Sequence, residues 1–361
     1  MIGTRSATNG RNCPGPPHRI YGGALRFSTR PGSPRRIQSR PRRSPRLNPT
    51  VWSRAAPVAS EFGLQPDVAG VHARHVTLSP GEIAAAVRRA LAEDIGRGDA
   101  TTLALVPARA RARARMVARV PLTVAGLDFA EAAFRALNPV LQIERLARDS
   151  EAVPAGTSLL RLAGPARAVL TAERTALNFV QRLSGVATLT ARFVAAVAGT
   201  RARILDTRKT TPGWRRFEKY AVTCGGGQNH RVGLFDQILI KDNHLVALRG
   251  RRPNPIAWAV RRARAVCPAL AVEVEADTLA QVRQAVAAGA DFILLDNMPP
   301  AKLRRAVRLV AGRARTEASG GVTLENVRVI AETGVDFISV GALTHSAPAV
   351  DIALDFEWRG R

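Results

Sequence analysis

The sequence predicts a mixed α/β protein whose C-terminal half is a parallel βα array. Three observations carry that prediction. From residue 203 on, short apolar runs with β character recur at intervals of about 20 to 35 residues; helical stretches ending in Gly separate the later ones; and nearly every run ends in a polar residue able to do chemistry. The runs are ARILDT (202–207), QILIK (237–241), AVEVE (271–275), DFILLD (291–296), TEAS (316–319) and DFISVG (336–341). A barrel and a doubly wound sheet both fit this rhythm. No GxGxxG follows any of the runs, which favours the barrel.

Upstream, LSPGEIAAAVRRALAEDIG places Ile83, Val87 and Leu91 on one helical face, with Ser79 as N-cap, Pro80 just inside and Gly96 as the stop. MVARVPLTVAG (116–126) and SLLRLAG (158–164) read as short strands between Pro and Gly, and RAVLTAERTALNFVQRLSG reads as a helix. TLAQVRQAVAAGA and TLENVRVIAETGV are the helices between later strands, the second starting near Thr323.

The chain has 361 residues, 46% hydrophobic and 23% charged, enough for one large or two ordinary domains. Its net charge is +26, yet Lys209, Lys219, Lys241 and Lys302 are the only lysines, so the rest of the basic side chains are Arg. That imbalance is a codon-usage signature and is discounted as a sign of a nucleic-acid partner. Of the total +26, +11 falls in residues 1–76, where thirteen Arg oppose Glu61 and Asp67 amid Pro and Ser. This stretch is expected to be a disordered tail, with order beginning at Thr77. A mis-chosen upstream start, a transit peptide and a basic arm are the readings open for it. Cys13, Cys224 and Cys267 are unpatterned thiols, which suits a reducing, cytoplasmic setting. No apolar run reaches the ~18 residues of a spanning helix, so no membrane partner is expected.

The polar strand ends are Asp206, Arg208 and Lys209; Lys241; Glu275; Asp296; Ser319; and Gly341. In a parallel barrel these open on one face, which is where such folds place their active sites. Capping of the following helix accounts for Ser319 or Asp296 singly, but not for six ends in succession. Segment 206–244 holds three of the four lysines and two of the six histidines. Arg208, Lys209, His230, Arg231 and Lys241 would form a positive pocket suited to a compact polyanion, because Arg forks grip carboxylate and phosphate oxygens and Lys adds a point charge. Glu275 and Asp296 suit sugar hydroxyls and a hard divalent ion. Glu273 shares the face of Glu275, so parity alone allows either. Ser319, Gly320 and Gly321 form a small-residue turn whose amides could hold phosphate at the N-terminus of the next helix, and Gly341 has a similar role on the following strand.

At this point EDIGRGDAT (93–101), AERTALNFVQRLSGVAT (172–188), DTRKTTPGWR (206–215), EKYAVTCGGGQNHRVGLFDQILIKDNH (218–244), EVE (273–275), LLDNM (294–298) and EASGG (317–321) together resemble the type II phosphoribosyltransferases, and within them quinolinate phosphoribosyltransferase. The resemblance runs from about residue 78 to the C-terminus. It implies an N-terminal α/β sandwich domain (77–183), an incomplete parallel α/β barrel (184–346) and a segment (347–361) returning to the first domain. It also implies a homodimer or hexamer with a shared active site, Mg²⁺, and conversion of quinolinate and phosphoribosyl pyrophosphate to nicotinate mononucleotide, pyrophosphate and CO2 in NAD biosynthesis. Carried over by residue, Arg208, His230, Arg231 and Lys241 match positions that hold quinolinate carboxylates and pyrophosphate, with Thr207 and Lys209 beside them. Arg174 matches an arginine delivered by the neighbouring subunit. Glu275 and Asp296 match the ribose and metal carboxylates, and Ser319, Gly320, Gly321 and Gly341 the 5′-phosphate turn. Lys209, Lys241, Glu275 and Asp296 are the expected catalytic set. ALRGRRPNPIAW looks like a loop extension (248–258). Competing readings are a related transferase acting on nicotinate, a Schiff-base aldolase using Lys241, and a nucleic-acid-binding protein motivated by charge.

Overall fold

The computed structural model describes residues 75–357. The expectation of a tail therefore lies outside the described residues except at its end, where it needs correction: Val76 is buried and its N–H donates to Asn229 Oδ1 at 2.8 Å. The ordered chain thus begins before Thr77, anchored on the segment that carries His230.

Helix α1 (Pro80–Ile95) has the expected caps. Ser79 Oγ accepts from Glu82 N–H while the Glu82 carboxylate accepts from Ser79 N–H, and Gly96 follows at positive φ. Helix α2 (Ala100–Leu105) starts on Asp99, whose carboxylate accepts from Thr102 N–H. Strand β1 (Arg111–Ala118) begins five residues earlier than the sequence reading placed it, in RARAR, where Arg faces out and Ala112 and Ala114 face in. After β2 (Leu122–Thr123), α3 (Leu127–Leu137), β3 (Gln142–Arg145), β4 (Ala152–Val153) and β5 (Ser158–Pro165) comes α4 (Ala166–Ala196), which runs straight through Gly185 and past the expected domain boundary. Gly185 is needed there because a Cβ would sit 2.0 Å from the Pro348 carbonyl oxygen.

Strands β1, β5 and β3 form an antiparallel sheet with β12 (Ile352–Glu357) on its far edge, in the order β12-β1-β5-β3. Its apolar face packs on α4, which in turn packs against α1 and α3. Phe129, Phe179, Trp214 and Phe217 stack from α3 across α4 to the loop and helix beyond, joining the two halves.

The second half is a parallel sheet of β6 (Arg203–Leu205), β7 (Ile238–Ile240), β8 (Val272–Ala276), β9 (Phe292–Asp296), β10 (Arg315–Ser319) and β11 (Phe337–Ser339), ordered β6-β11-β10-β9-β8-β7. Six strands with β6 and β7 as edges make an open barrel, as expected. Helices α5 (Arg215–Cys224), α6 (Asp242–Ala247), α7 (Pro255–Val266), α8 (Leu279–Ala288), α9 (Pro300–Val310), α10 (Val327–Ala331) and α11 (Ala342–His345) connect them. Helix α8 ends on left-handed Gly289, as its sequence predicts. Two expectations change. The stretch 248–258 is not all loop: Asn254 caps α7, so PIAW is its first turn. Helix α10 starts at Val327 rather than Thr323, because Asn326 Oδ1 ties Thr323 N–H into a preceding turn. Among the described residues no helix is long and apolar enough to cross a membrane.

Candidate active site

The C-terminal ends of the barrel strands enclose a cavity of about 470 Å³. Of the expected residues, Thr207, Arg208, Lys209, His230, Arg231, Lys241, Glu275, Asp296, Ser319, Gly320 and Gly321 line it. Gly341 lies behind Lys209, where a Cβ would come within 3.1 Å of Lys209 Cδ. Arg174 does not line it; it stands exposed on α4. Asp206 is a correction. Though a strand-end residue, it is fully buried and pairs with the fully buried Lys219 of α5, so neither reaches the cavity.

That buried pair builds the wall instead. Asp206 Oδ1 accepts from His230 N–H at 2.9 Å, Oδ2 accepts from Asn229 Nδ2 at 2.7 Å, and Lys219 Nζ donates to the His230 carbonyl at 2.9 Å. A second buried acid, Glu218, accepts from Thr211 N–H and Thr211 Oγ1 and pairs with Arg182 at 2.7 Å. The loop carrying Arg208 and Lys209 is thereby held at its far end, while Lys209 C=O accepts from Thr344 Oγ1 at 2.7 Å.

Beneath the cavity His230 meets two buried carboxylates, with Nε2 at 3.2 Å from Glu273 Oε2 and 3.5 Å from Glu317 Oε2. Burial disfavours charge on the imidazole, but Glu317 and Glu273 outweigh it and push its pKa up to about 10. The hydrogen bond from Arg231 N–H to His230 Nδ1, 2.7 Å long, pulls the other way, because an accepting nitrogen carries no proton. With Nδ1 accepting, Nε2 is the nitrogen that donates toward Glu273. Burial, then the Glu317 charge, holds the Glu273 carboxyl above its usual range. The three side chains lie close enough to suggest a metal site, with ligand atoms within 4.8 Å of one another. Since Nε2 carries the proton, the trio is an internally hydrogen-bonded floor. Both His230 nitrogens are engaged there, which leaves no general base on that ring.

Glu275 and Glu273 do share a face, and depth separates them: Glu273 is sealed in the floor and Glu275 reaches the cavity, where Lys241 Nζ lies 3.3 Å from Glu275 Oε2. Asp296 is on the neighbouring strand, bonded through Oδ2 to Asn297 Nδ2 at 2.7 Å. Gly320 and Gly321 adopt φ of 97° and 59°, so the turn after Ser319 needs glycine. With α10 starting at Val327, phosphate would meet turn amides there and not a helix terminus. The sequence reading missed five lining residues: Leu239, Leu294, Asn297, Glu317 and Ser339. Four of these sit two positions before an expected strand-end residue, and the period of two applied to Glu273 would have found them.

A parallel barrel whose strand ends gather four cations around two carboxylates and a glycine turn defines an enzyme acting on polyanions by positioning and electrostatics. Comparison with known proteins narrows the class. The family models for the N-terminal and C-terminal domains of quinolinate phosphoribosyl transferase match residues 99–184 and 186–355. A chloroplastic nicotinate-nucleotide pyrophosphorylase [carboxylating] of Oryza sativa is 39% identical, over 91% of this chain and 94% of its own length. The Mycobacterium leprae enzyme of that name is 46% identical over 74% and 95% of the two chains. The solved nicotinate-nucleotide pyrophosphorylase of Francisella tularensis superposes with a TM-score of 0.73 at 40% identity, covering 78% of this chain and 98% of the other. The chain belongs to the quinolinate phosphoribosyltransferase family.

Proposed function

We propose that this cavity transfers the phosphoribosyl group of phosphoribosyl pyrophosphate to the ring nitrogen of quinolinate, releasing pyrophosphate, CO2 and nicotinate mononucleotide for NAD synthesis. One observation carries the residue assignment: Arg208, which lines the cavity, has a buried Nε with no hydrogen-bond partner among the described residues, in a wall it shares with Arg231, Lys209 and Lys241. A buried guanidinium donor calls for an acceptor, and a carboxylate or phosphate oxygen is the strongest available.

Arg208 and Arg231 would grip the two quinolinate carboxylates, with Leu239 and Leu294 offering apolar contact to the pyridine ring. Lys209 and Lys241 face the leaving pyrophosphate, Glu275 and Asp296 the ribose hydroxyls, and the Ser319–Gly321 turn the 5′-phosphate. The ring nitrogen attacks the anomeric carbon as the bond to pyrophosphate breaks, so the residues act by alignment and by stabilising an oxocarbenium-like state. The transferred ring nitrogen is then cationic. Its positive charge stabilises the electron pair that stays on the adjacent carbon when CO2 departs, and that pair then takes up a proton.

The donor chemistry fits Mg²⁺. Glu275 and Asp296 are hard oxygen donors on adjacent strands, both open to the cavity, and Asp296 keeps Oδ1 free of the Asn297 bond. When bound beside them the ion would offset the charge of the phosphoribosyl pyrophosphate oxygens. The exposed Arg174 fits delivery into a second subunit's cavity, so the working enzyme is a homodimer or larger assembly, and the expected location is the cytoplasm.

The test is product formation from phosphoribosyl pyrophosphate and Mg²⁺ with quinolinate or nicotinate. Nicotinate mononucleotide with stoichiometric CO2 from quinolinate is expected, and turnover of nicotinate alone would overturn the reading.

A further inference from the structure

Asn297 has no place in the expected site, yet it touches both arms of it. It follows β9 with a φ of 49°, in the left-handed region, and among the described non-glycine residues with positive φ it alone lines the cavity. Its backbone N–H donates to the Ser319 carbonyl at 2.9 Å, which carries the β9–β10 pairing one residue past the Asp296–Ser319 register. Its side-chain Nδ2 donates to Asp296 Oδ2 at 2.7 Å. Its Oδ1 occupies the space left by the missing side chain of Gly320, where a Cβ would lie 2.1 Å away.

We infer that Asn297 is a positioning residue that locks the Asp296 carboxylate and the Ser319–Gly321 turn into one unit, so that the ribose and 5′-phosphate ends of phosphoribosyl pyrophosphate are read together. The χ2 torsion of Asp is broad and two-fold, so a half-exposed carboxylate has no intrinsic orientation. A fixed amide donor on one oxygen supplies it and commits the other oxygen to the ligand. Asparagine is one of the few side chains that tolerates the left-handed backbone while offering an N–H₂ donor and a carbonyl. Gly320 is required for the same lock: any side chain there would displace the amide that orients Asp296. This proposal rests on the assignment of that end of the cavity to phosphoribosyl pyrophosphate.

The test uses steady-state kinetics with each substrate varied in turn. Asn297→Gly keeps the left-handed backbone and deletes the donor; Asn297→Asp keeps the shape and replaces the donor with a like charge. Both are expected to lose about tenfold to a hundredfold in kcat/KM for phosphoribosyl pyrophosphate, the worth of a charge-assisted hydrogen bond, while KM for quinolinate stays within about twofold. Gly320→Ala should show the same substrate selectivity, and the double variant Asn297→Gly/Gly320→Ala should be no worse than its weaker parent. Unchanged kinetics in Asn297→Gly, equal loss toward both substrates, or additive losses in the double variant would each overturn the proposal. If Asn297→Gly does not fold, Asn297→Asp and Gly320→Ala decide on the same readouts. Wild-type protein inactive on quinolinate overturns the functional reading itself; active wild type with an insensitive Asn297→Gly overturns only this one.

Discussion

Lys219→Met tests whether the wall of the cavity hangs on its buried ion pair. Lys219 and Asp206 are both fully buried, and Met keeps the length of the side chain while deleting the cation. Asp206 would retain two donors, Asn229 Nδ2 at 2.7 Å and His230 N–H at 2.9 Å, but no positive charge, and the His230 carbonyl would lose its 2.9 Å donor. Breaking a buried pair from one side costs about 3–5 kcal/mol. For a domain of this size each kcal/mol is about 2–4 °C, so Tm should fall by roughly 6–20 °C. Asp206→Asn added to Lys219→Met removes the stranded charge and should recover much of the loss.

The deficit should also depend on pH in a defined direction. Burial already raises the Asp206 carboxyl, and the Lys219 charge and hydrogen bond oppose that rise. Without Lys219 the folded pKa moves further above the unfolded value of about 3.9. A carboxyl shifted upward favours the folded state at low pH, and this contribution is lost as pH rises through its folded pKa. Calorimetric Tm differences between variant and wild type should therefore be larger at pH 8 than at pH 5. A deficit below about 1 kcal/mol, or one equal at both pH values, refutes the account.

The remaining predictions are more direct. Arg208→Ala and Lys241→Ala should each lower kcat by about 10²–10³ with near wild-type Tm, as neither side chain supports the core; retained turnover would remove that residue from the assignment. Arg174→Ala should be inactive alone and regain activity when mixed with Lys241→Ala, since an exchanged dimer rebuilds one intact site; proven subunit exchange without recovery counts against a shared site. Burial pushes the Cys224 thiol up to about 11, so iodoacetamide at pH 8 followed by peptide mapping should label Cys267 well before Cys224. Gly185→Ala must displace the Pro348 carbonyl from 2.0 Å and should cost about 1–3 kcal/mol by urea unfolding.

How much of this was legible in the sequence depends on which physical signal each feature carries. Strands β6 to β11 and their polar ends were readable because a buried parallel strand is a continuous apolar run, and a sharp change to Lys, Glu or Asp marks its mouth. The start of strand β1 was not, because Arg–Ala alternation has the period of a strand but little of its composition: exposed Arg111 and Arg113 hide the pattern that buried Ala112 and Ala114 complete. Asp206 shows the limit of strand-end reasoning. Its neighbours Arg208 and Lys209 do line the cavity, but whether a polar residue at a strand end faces ligand or core depends on a partner thirteen positions away on α5, and Lys219 is no different in sequence from the lysines that reach the mouth. The floor could have been inferred in outline. The parity that sets Glu273 on the same face as Glu275 also sets Glu317 with Ser319, Leu294 with Asp296, Leu239 with Lys241 and Ser339 with Gly341, and in the structure these form a second layer of largely alternating acid and apolar side chains one step below the mouth. What no spacing rule supplies is the engagement of His230: its Nδ1 accepts from the next residue's own N–H, a contact set by local backbone geometry, and that contact fixes which tautomer meets the two buried acids. A histidine beside basic residues reads as a ligand-binding group, and its place in the fold adds contacts the sequence does not announce: His230 lines the cavity and also ties it to the two buried acids below.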